Sequence, residues 1–307
     1  MTAMRPSLMK YAWLSVATAV FTIGIKYIAY LLTGSVGLFS DALEGIVNLA
    51  AAIVVLITLK IVEQPPDELH QYGHDKAEYF SSGIEGTLII IASLSILFTS
   101  GQRLLHPEPL EQVGLGLLLA LAAAVINFFV GQLLIRTGKT YDSISIEADG
   151  QHLMSDVWTS VGVVIGVAIA IITGLEWLDP LVAIIVGLKI GGEGVLIFRR
   201  SSRGLMDAAI APTERSIIET ILNTHCQNGI TWHALRTRQA GSRRFVSVHI
   251  LTPGDWTIQQ GHDLLELVET DIRNQIPHCT VFTHIEPIED PRAFVDQHLI
   301  RTDTPEE

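Results

Sequence analysis

Polar residues stand at regular spacing inside a stretch of sequence that is otherwise apolar. In FSDALEGIVN, Asp41, Glu44 and Asn48 are three and four residues apart. Each residue of a helix advances about 100°, so the three side chains fall within about 60° of one another and form one polar stripe. Ionisable groups inside a membrane are costly unless they face a cavity, a partner or an ion. The stripe therefore predicts a functional site.

The same spacing occurs again in ADGQHLMSDVW, where Asp149, His152 and Asp156 repeat the offsets of three and seven. Carboxylate, amide and imidazole groups together suit a divalent first-row metal. Neither stripe contains cysteine, so soft metals that prefer thiolate ligands are disfavoured. The predicted ligands from the two stripes are Glu44, Asn48, His152 and Asp156. Asp41 is a weaker candidate. For Asp41 and Asp149 the alternative is hydrogen bonding to the backbone or to neighbouring helices near the membrane surface.

The elements that must carry these residues are membrane helices. The chain of 307 residues is 49% hydrophobic and 17% charged, with a mean hydropathy of +0.40, which is too apolar for an ordinary soluble protein. Six stretches are each long enough to cross a hydrocarbon core of about 30 Å. They lie at about 11–33, 36–60, 83–105, 113–136, 144–173 and 178–198.

Basic residues predict the orientation of these helices. They concentrate before helix 1, in the second and fourth connections and after helix 6, whereas the other three connections carry only Arg103. By the positive-inside rule, both termini face the cytoplasm, and the chain is predicted to be a multi-pass protein of the inner membrane. Under this orientation helices 2 and 5 run in opposite directions, so Asn48 and Asp156 each lie near mid-membrane. The net charge of −12 argues against a nucleic-acid partner.

The remaining hundred residues predict a soluble domain. A helix at about 212–224, strands at 231–238 and 244–251, a helix at 257–275 and a strand at 279–286 give the order αββαβ. The predicted domains are a six-helix membrane domain over 1–207, a cytoplasmic domain over 208–290 and a disordered tail over 291–307. Cys226 and Cys279 both lie in this cytoplasmic part, where thiols normally stay reduced, so a disulfide is not expected.

A second candidate metal site lies in the loop QPPDELHQYGHDKAE. Asp67, His70 and His74 again have offsets of three and seven, and a carboxylate with two imidazoles is a reasonable divalent site. The alternative is a set of solvated side chains in an accessible loop. In the C-terminal domain, His249 faces away from Val246, Val248 and Ile250 on its strand, and a further strand places His284 and Glu286 on one face.

Several of these segments together resemble one family, the cation diffusion facilitators, which exchange metal cations for protons, and most closely its bacterial zinc and iron efflux branch. The resemblance is carried by TGSVGLFSDALEGIVN, QPPDELHQYGHDKAE, EADGQHLMSDVWTSVGV, ALRTRQAGSRRF and VFTHIEP, in order from about residue 8 to 290. It implies a transport site on helices 2 and 5, a ferredoxin-like cytoplasmic domain, a homodimer and alternating access with metal moving outward and protons inward. It also implies a metal site in the loop and a Lys76–Asp207 ion pair, for which the alternative is two unrelated surface charges.

The resemblance further implies a metal cluster in the cytoplasmic domain. Its predicted ligands are His233, His249, His262, His284 and Glu286. The alternative is a polar sheet face with solvated histidines. Metal bound there would stabilise the docking of two tails and act as a cytoplasmic sensor.

Helix 2 departs from the family pattern. The HxxxD motif of helix 5 is intact as His152 and Asp156, but Glu44 and Asn48 stand where His or Asp followed by Asp is usual. Two carboxylates remain, enough to neutralise one divalent cation beside a neutral histidine. Mixed oxygen and nitrogen ligands permit zinc, iron(II), cobalt, manganese and cadmium, with zinc the first expectation and iron(II) the second.

The leading interpretation is therefore a metal-efflux carrier with no resident cofactor beyond its metals. A membrane-tethered metal sensor that binds without transporting is the alternative from another class. An intramembrane hydrolase is disfavoured because the sequence has no HExxH and no GxSxG motif.

Overall fold

The computed structural model of the chain describes residues 7–33, 36–105, 115–175 and 177–295, and in parts of the helices it describes the backbone alone. The chain divides into two compact units, residues 5–203 and a C-terminal unit that begins at Gly204. Each unit is described separately below.

The first unit consists of long helices, as predicted. They are α1 Met9–Thr33, α2 Val36–Val62, α3 Ala77–Leu105, α4 Leu115–Thr140, α5 Ile144–Thr173 and α6 Leu178–Leu205. Three of them extend by four residues or more beyond the predicted apolar stretches: α3 begins six residues earlier, and α4 and α6 end later. Hydropathy detects only the apolar part of a helix, whereas these extensions are polar turns of the kind that lie at a membrane surface.

Membrane-spanning character is clearest in four helical segments. Among the described residues, Met9–Ile28, Ala77–Leu105, Leu121–Thr140 and Pro180–Leu205 are long and apolar enough to cross a bilayer, and Asn48–Val62 is a shorter apolar helix.

Helices α4 and α5 approach each other closely through glycine. A Cβ on Gly150 would lie 2.8 Å from the backbone nitrogen of Ile135, and one on Gly138 would lie 2.5 Å from that of Glu147. Larger residues would push the helices apart, because small residues are what allow membrane helices to pack backbone against backbone. This contact fixes α5, and with it the stripe of His152.

Helix α3 packs against α6 in the same way. Ser93 Oγ donates to the Gly187 carbonyl at 2.8 Å. A Cβ on Gly86 would lie 2.9 Å from the Phe198 backbone nitrogen. The close approach leaves α3 little freedom to rotate at this level of the membrane domain.

The first turns of α3 and α5 are tied together by Glu78. This side chain is fully buried, and its Oε2 accepts hydrogen bonds from Ser143 Oγ at 2.6 Å and from the Ser145 backbone N–H at 3.3 Å. A carboxylate at the N-terminus of a helix satisfies N–H groups that have no partner within the helix. Glu78 therefore caps α5 from a neighbouring helix.

The C-terminal unit has the predicted αββαβ order. Its elements are α7 Pro212–His225, β1 Thr231–Ala240, β2 Arg243–Thr252, α8 Ile258–Gln275 and β3 Cys279–Pro287. The strand order is β1-β2-β3, with β1 antiparallel and β3 parallel to β2. The unit therefore has the two helices and three strands predicted for a ferredoxin-like domain, in the predicted order.

The core of this unit lies between the helices and one face of the sheet. Apolar residues at every second position of β2 pack there, as their alternation predicts. Its buried members include Ile218, Leu222, Val246, Val248, Ile250, Val268, Ile272 and Ile276. Burying one such side chain contributes about 1.5–3 kcal/mol relative to leaving it in water.

Regular structure continues beyond the predicted end of this domain. Pro291–Phe294 forms a short 3₁₀ helix, and Ala293 within it is buried. The residue range predicted to be a disordered tail therefore begins with a packed turn. The rest of that range, 296–307, lies outside the described residues.

Candidate metal-binding sites

The polar stripes of α2 and α5 meet through three predicted ligands. Asn48 Nδ2 lies 2.5 Å from Asp156 Oδ2, and Asn48 Oδ1 lies 2.6 Å from His152 Nε2. Asn48 and His152 are buried, each less than a tenth exposed. A carboxylate oxygen, an amide oxygen and an imidazole nitrogen are therefore together in one enclosed place, as the matched spacing of the two stripes predicts.

The other predicted residues of this region are only partly described. Asp41 and Glu44 lie on α2, but their side chains are outside the described part of the chain. Asp149 is 2% exposed on α5, and its Oδ2 has no hydrogen-bond partner among the described residues. Asp149 is therefore enclosed by the protein.

Two site residues were missed by the sequence reasoning. Asn127 on α4 is buried, with Nδ2 3.4 Å from Asp156 Oδ2. Glu85 on α3 is fully buried, with Oε2 3.5 Å from His152 Nδ1. Each is a polar residue within the apolar part of its helix, which is the signal that could have found them, and Glu85 also follows Glu78 and Ser81 at the spacing of the two stripes.

The described ligands of this arrangement include one carboxylate. Asn48 offers a neutral oxygen, so Asp156 supplies the only carboxylate among the predicted ligands whose side chains are described. A metal at this position would be bound by oxygen and nitrogen, the set that first-row divalent ions accept. The metal here is the cargo of the site.

The loop residues Asp67, His70 and His74 also come together. His70 Nδ1 lies 3.1 Å from Asp67 Oδ1, and His74 Nε2 lies 3.3 Å from Asp67 Oδ2. Their potential ligand atoms lie within 4.8 Å of one another. Asp67 is half exposed, whereas the His74 side chain is 9% exposed. One carboxylate and two imidazoles are thus already arranged around a shared point.

Backbone hydrogen bonds fix the Asp67 carboxylate. Its Oδ1 accepts the N–H of His70 at 2.6 Å and that of Leu69 at 2.9 Å. These donors, the His70 N–H first among them, hold the pKa of Asp67 below its usual 3.8. The side chain is therefore ionised at neutral pH and able to bind a cation.

Three histidines form one row across the sheet of the C-terminal unit. His233 on β1 pairs with His249 on β2, which pairs with His284 on β3. The ring centroids are 5.2 Å apart in the first pair and 5.0 Å in the second. The row lies on the face opposite the apolar core, so strand alternation places all three rings on the same side.

Glu286 joins this row from two residues along β3. Its carboxylate lies 3.0 Å from His233 Nε2, 3.3 Å from His249 Nδ1 and 3.5 Å from His284 Nε2. His233, His249 and Glu286 have ligand atoms within 4.8 Å of one another, whereas the His284 side chain is 64% exposed. His262 lies exposed on α8, outside this cluster.

A bulge in β1 orients the end of the row. The pairing of β1 with β2 shifts between His233 and Arg236, and Ala234 within it has a φ of 50°. This left-handed conformation costs a residue with a side chain about 1–2 kcal/mol. Bulges redirect side chains next to functional sites, so the irregularity beside His233 is consistent with a role for this position.

Comparison with known proteins identifies the family. The family model described as "Cation efflux transmembrane domain" matches residues 12–206, and "Cation efflux protein, cytoplasmic domain" matches residues 210–288. The chain belongs to the cation diffusion facilitator family. It is therefore a multi-pass membrane protein of a cation-efflux family.

Individual relatives in this family are similar over most of their length. An uncharacterised transporter of Synechocystis sp. is 49% identical over 284 residues, covering 92% of each chain. The cation-efflux pump FieF of Klebsiella pneumoniae is 30% identical over 269 residues, covering 86% of this chain and 87% of its own. A solved chain of CzrB, described as a candidate zinc transporter, is 28% identical over 25% of this chain and 96% of its own, with a TM-score of 0.24.

These matches are to transport proteins and not to sensors or enzymes. The efflux function predicted from the sequence is thereby confirmed for this cation diffusion facilitator, and the sensor alternative receives no support. The implied Lys76–Asp207 pair stays a prediction, since the two residues lie in different units. Within its own unit, Asp207 Oδ1 lies 3.5 Å from Arg238 Nη1.

Proposed function

We propose that this protein moves a divalent transition metal out of the cytoplasm in exchange for protons, with Glu44, Asn48, His152 and Asp156 as the transport ligands. Asp41 remains a weaker candidate. The proposal is carried by one observation, the convergence of Asn48, His152 and Asp156 in a buried position within a membrane domain. Polar groups with no role are not expected there, since each one buried in a membrane is costly.

Exchange of metal for protons follows from the chemistry of these groups. Histidine binds a metal only through a nitrogen that has lost its proton, so metal and proton compete for the same atom. Release of the metal is favoured on the more acidic side of the membrane. We propose that this side is the exterior, with both termini in the cytoplasm and the protein in the inner membrane.

The proposed substrate is zinc, with iron(II) second. Oxygen and nitrogen ligands without a thiolate accept both, as they accept cobalt, manganese and cadmium, and the usual affinity order favours zinc over iron(II) and manganese. FieF and CzrB, the relatives named above, are described as a cation-efflux pump and a candidate zinc transporter.

Metal flux into proteoliposomes tests the proposed transport. Vesicles with an imposed pH gradient should show zinc movement that collapses when the gradient is dissipated, and Asp156→Ala should abolish it. Asp142→Asn is a matched control, because Asp142 lies in the turn before α5 with a φ of 51°, which asparagine tolerates. Zinc binding without flux in the wild type would refute the transport proposal.

We further propose that the loop and the sheet row bind metal. In the loop the ligands are Asp67, His70 and His74. In the C-terminal unit they are His233, His249, His262, His284 and Glu286. The support is the proximity of the ligand atoms of all three loop residues and, in the C-terminal unit, of His233, His249 and Glu286, with His284 3.5 Å from Glu286. Equilibrium dialysis of the whole protein should show the zinc stoichiometry falling when either group is replaced by alanine.

The protein is proposed to act as a homodimer, with metal in the C-terminal unit stabilising the docking of two copies. A ligand that binds only the docked state favours that state. The C-terminal unit has its own buried core, so it is suited to separate study. Small-angle scattering should show compaction or dimerisation of this unit on addition of zinc, and an unchanged profile would reject the idea.

A further inference from the structure

We propose that Glu85 is a positioning residue of the transport site. Its carboxylate holds Nδ1 of His152, so that Nε2 is the atom presented to the metal, and it brings to the site the negative charge that Asn48 does not have. The inference rests on the proposed function, and it assigns a role to a helix, α3, that carries none of the predicted ligands.

The first step is the direction of the hydrogen bonds around Asn48. A carboxylate accepts hydrogen bonds, so the atom of Asn48 that lies 2.5 Å from Asp156 Oδ2 is the donating Nδ2. The other end of the amide, Oδ1, then faces His152 Nε2 at 2.6 Å. Because Oδ1 can only accept, Nε2 carries a hydrogen in the metal-free protein. This is the hydrogen that a metal must replace.

The second step concerns the opposite side of the His152 ring. Nδ1 lies 3.5 Å from Glu85 Oε2, which is longer than an ordinary hydrogen bond. Both atoms are buried, and neither has a hydrogen-bond partner within the described part of the chain. Buried polar atoms nearly always have partners, because an unpaired one costs about 1–3 kcal/mol. A small closing movement would give each atom the other as its partner.

A carboxylate behind a histidine has a known effect on metal binding. Metal-binding histidines usually donate their second ring N–H to a carboxylate, a carbonyl or water, which fixes the tautomer and the ring orientation. Glu85 is placed to do this for His152. Once a metal has replaced the hydrogen at Nε2, the hydrogen of the neutral ring lies on Nδ1 and is donated to Glu85, which keeps Nε2 pointed at Asn48 and Asp156.

The third step is charge. Asn48 is neutral where the family pattern has an aspartate, so a carboxylate is absent from α2. Glu85 approaches from α3 and is fully buried next to His152. A cation bound at the site would stabilise the ionised form of such a carboxyl group. Glu85 is therefore placed to supply, once a metal is bound, the charge that Asn48 does not have.

The backbone next to Glu85 keeps it in position. A Cβ on the neighbouring Gly86 would lie 2.9 Å from the backbone nitrogen of Phe198 on α6. This close helix contact prevents α3 from turning Glu85 away without unpacking α6. Glu85 is therefore held next to the imidazole ring of His152.

Transport kinetics test the role through three variants. Glu85→Ala removes both the acceptor and the charge, and it should raise the KM for zinc about tenfold, the lower end of the effect for such partners. Glu85→Gln keeps an oxygen that accepts from Nδ1 and should give a smaller rise. Glu78→Gln is the matched control, because Glu78 is equally buried on α3 and contacts α5 but not His152. An unchanged KM in Glu85→Ala would overturn the proposal.

Nitrogen-15 NMR of the metal-free protein tests the role of Glu85 without a transport measurement. The signals of His152 are identified by their loss in His152→Gln. In the wild type, Nδ1 should share a hydrogen with a carboxylate, and Glu85→Ala should shift this signal while Glu78→Gln leaves it in place. Identical spectra for the wild type and Glu85→Ala would overturn the proposal. A wild type that moves no zinc but shows the shift would refute the proposed transport and leave the positioning role supported.

Discussion

Asn48 and Asp156 are hydrogen-bonded to each other across α2 and α5, with Nδ2 2.5 Å from Oδ2. In the metal-free protein the amide therefore occupies the carboxylate that a metal would use. The amide oxygen of Asn48 already faces His152 Nε2, and it is the atom that can coordinate, since an amide nitrogen that carries two hydrogens does not. The bond from Nδ2 keeps Asp156, a second predicted ligand, next to it.

The substitution Asn48→Asp should alter the choice of metal. It removes the donor to Asp156 and adds a third carboxylate, so two like charges face each other until a cation arrives. We expect the KM for zinc to fall about tenfold, equivalent to about 1.4 kcal/mol, and the preference for zinc over iron(II) to change. Initial rates for a panel of metals in proteoliposomes measure both quantities.

The control for this variant is Asn223→Asp, which adds the same charge in the C-terminal unit. Asn223 Oδ1 accepts from Trp232 Nε1 at 2.9 Å, and an aspartate retains that oxygen. Its metal selectivity should equal that of the wild type. If Asn48→Asp also left selectivity unchanged, the departure of α2 from the family pattern would not determine the ion.

The sequence predicted the elements and the main contacts of the site for identifiable reasons. Helical periodicity placed Asn48, His152 and Asp156 on matching stripes, and strand alternation placed His249 and the apolar residues of β2 on opposite faces. These are short-range regularities, in which spacing alone determines the face on which a side chain lies. The cross-strand row of His233, His249 and His284 required the register as well, which only the structure provides.

Glu85 and Asn127 could not be assigned by the same reasoning. Asn127 shares no such spacing with the stripes, and Glu85, although it follows Glu78 by seven residues, is not connected with α2 or α5 by spacing alone. Their proximity to His152 and Asp156 depends on how α3 and α4 pack against α5, and that packing is fixed by close approaches at glycine. Packing between helices that are distant in sequence is a long-range property, and the periodicity of residues within one helix does not predict it.

Glu286 should be the most sensitive residue of the sheet row. Its carboxylate approaches three imidazoles, so Glu286→Gln removes the one negative charge that the cluster shares. We expect the zinc affinity of this cluster to fall at least about tenfold, since a metal ligand is lost. Titration of the full-length protein, with the loop histidines replaced by alanine, measures the change.

His225→Ala is the matched variant for the sheet row. His225 Nε2 lies 2.7 Å from Asp271 Oδ2, a hydrogen-bonded contact between α7 and α8 on the helical side of the domain. Its replacement should leave the zinc affinity of the row intact. Equal losses in His225→Ala and Glu286→Gln would mean that the effect comes from destabilising the domain and not from losing a ligand.

The two cysteines should not take part in metal binding. Burial raises the pKa of the Cys226 thiol and that of the Cys279 thiol to about 11 each. At pH 7 only about one thiol in ten thousand is then ionised, and the thiolate is the form that binds metals and reacts. Alkylation by iodoacetamide, followed by mass spectrometry, should be at least about a hundredfold slower in the folded protein than in urea. Protection of either cysteine by added zinc would contradict this.

Asp67 should set the strength of metal binding in the loop but not its pH dependence. Because its pKa is held below 3.8, the contribution of its charge is present above that pKa and disappears only as the pH falls through it. Asp67→Asn is therefore expected to weaken zinc binding by the same factor at every pH between about 5 and 8, with the slope of affinity against pH unchanged. Calorimetry at several pH values in this range, with the sheet row replaced by alanine, measures the affinities. A slope that changes in Asp67→Asn would show that the carboxylate itself is protonated in this range, against the hydrogen bonds that His70 and Leu69 donate to it.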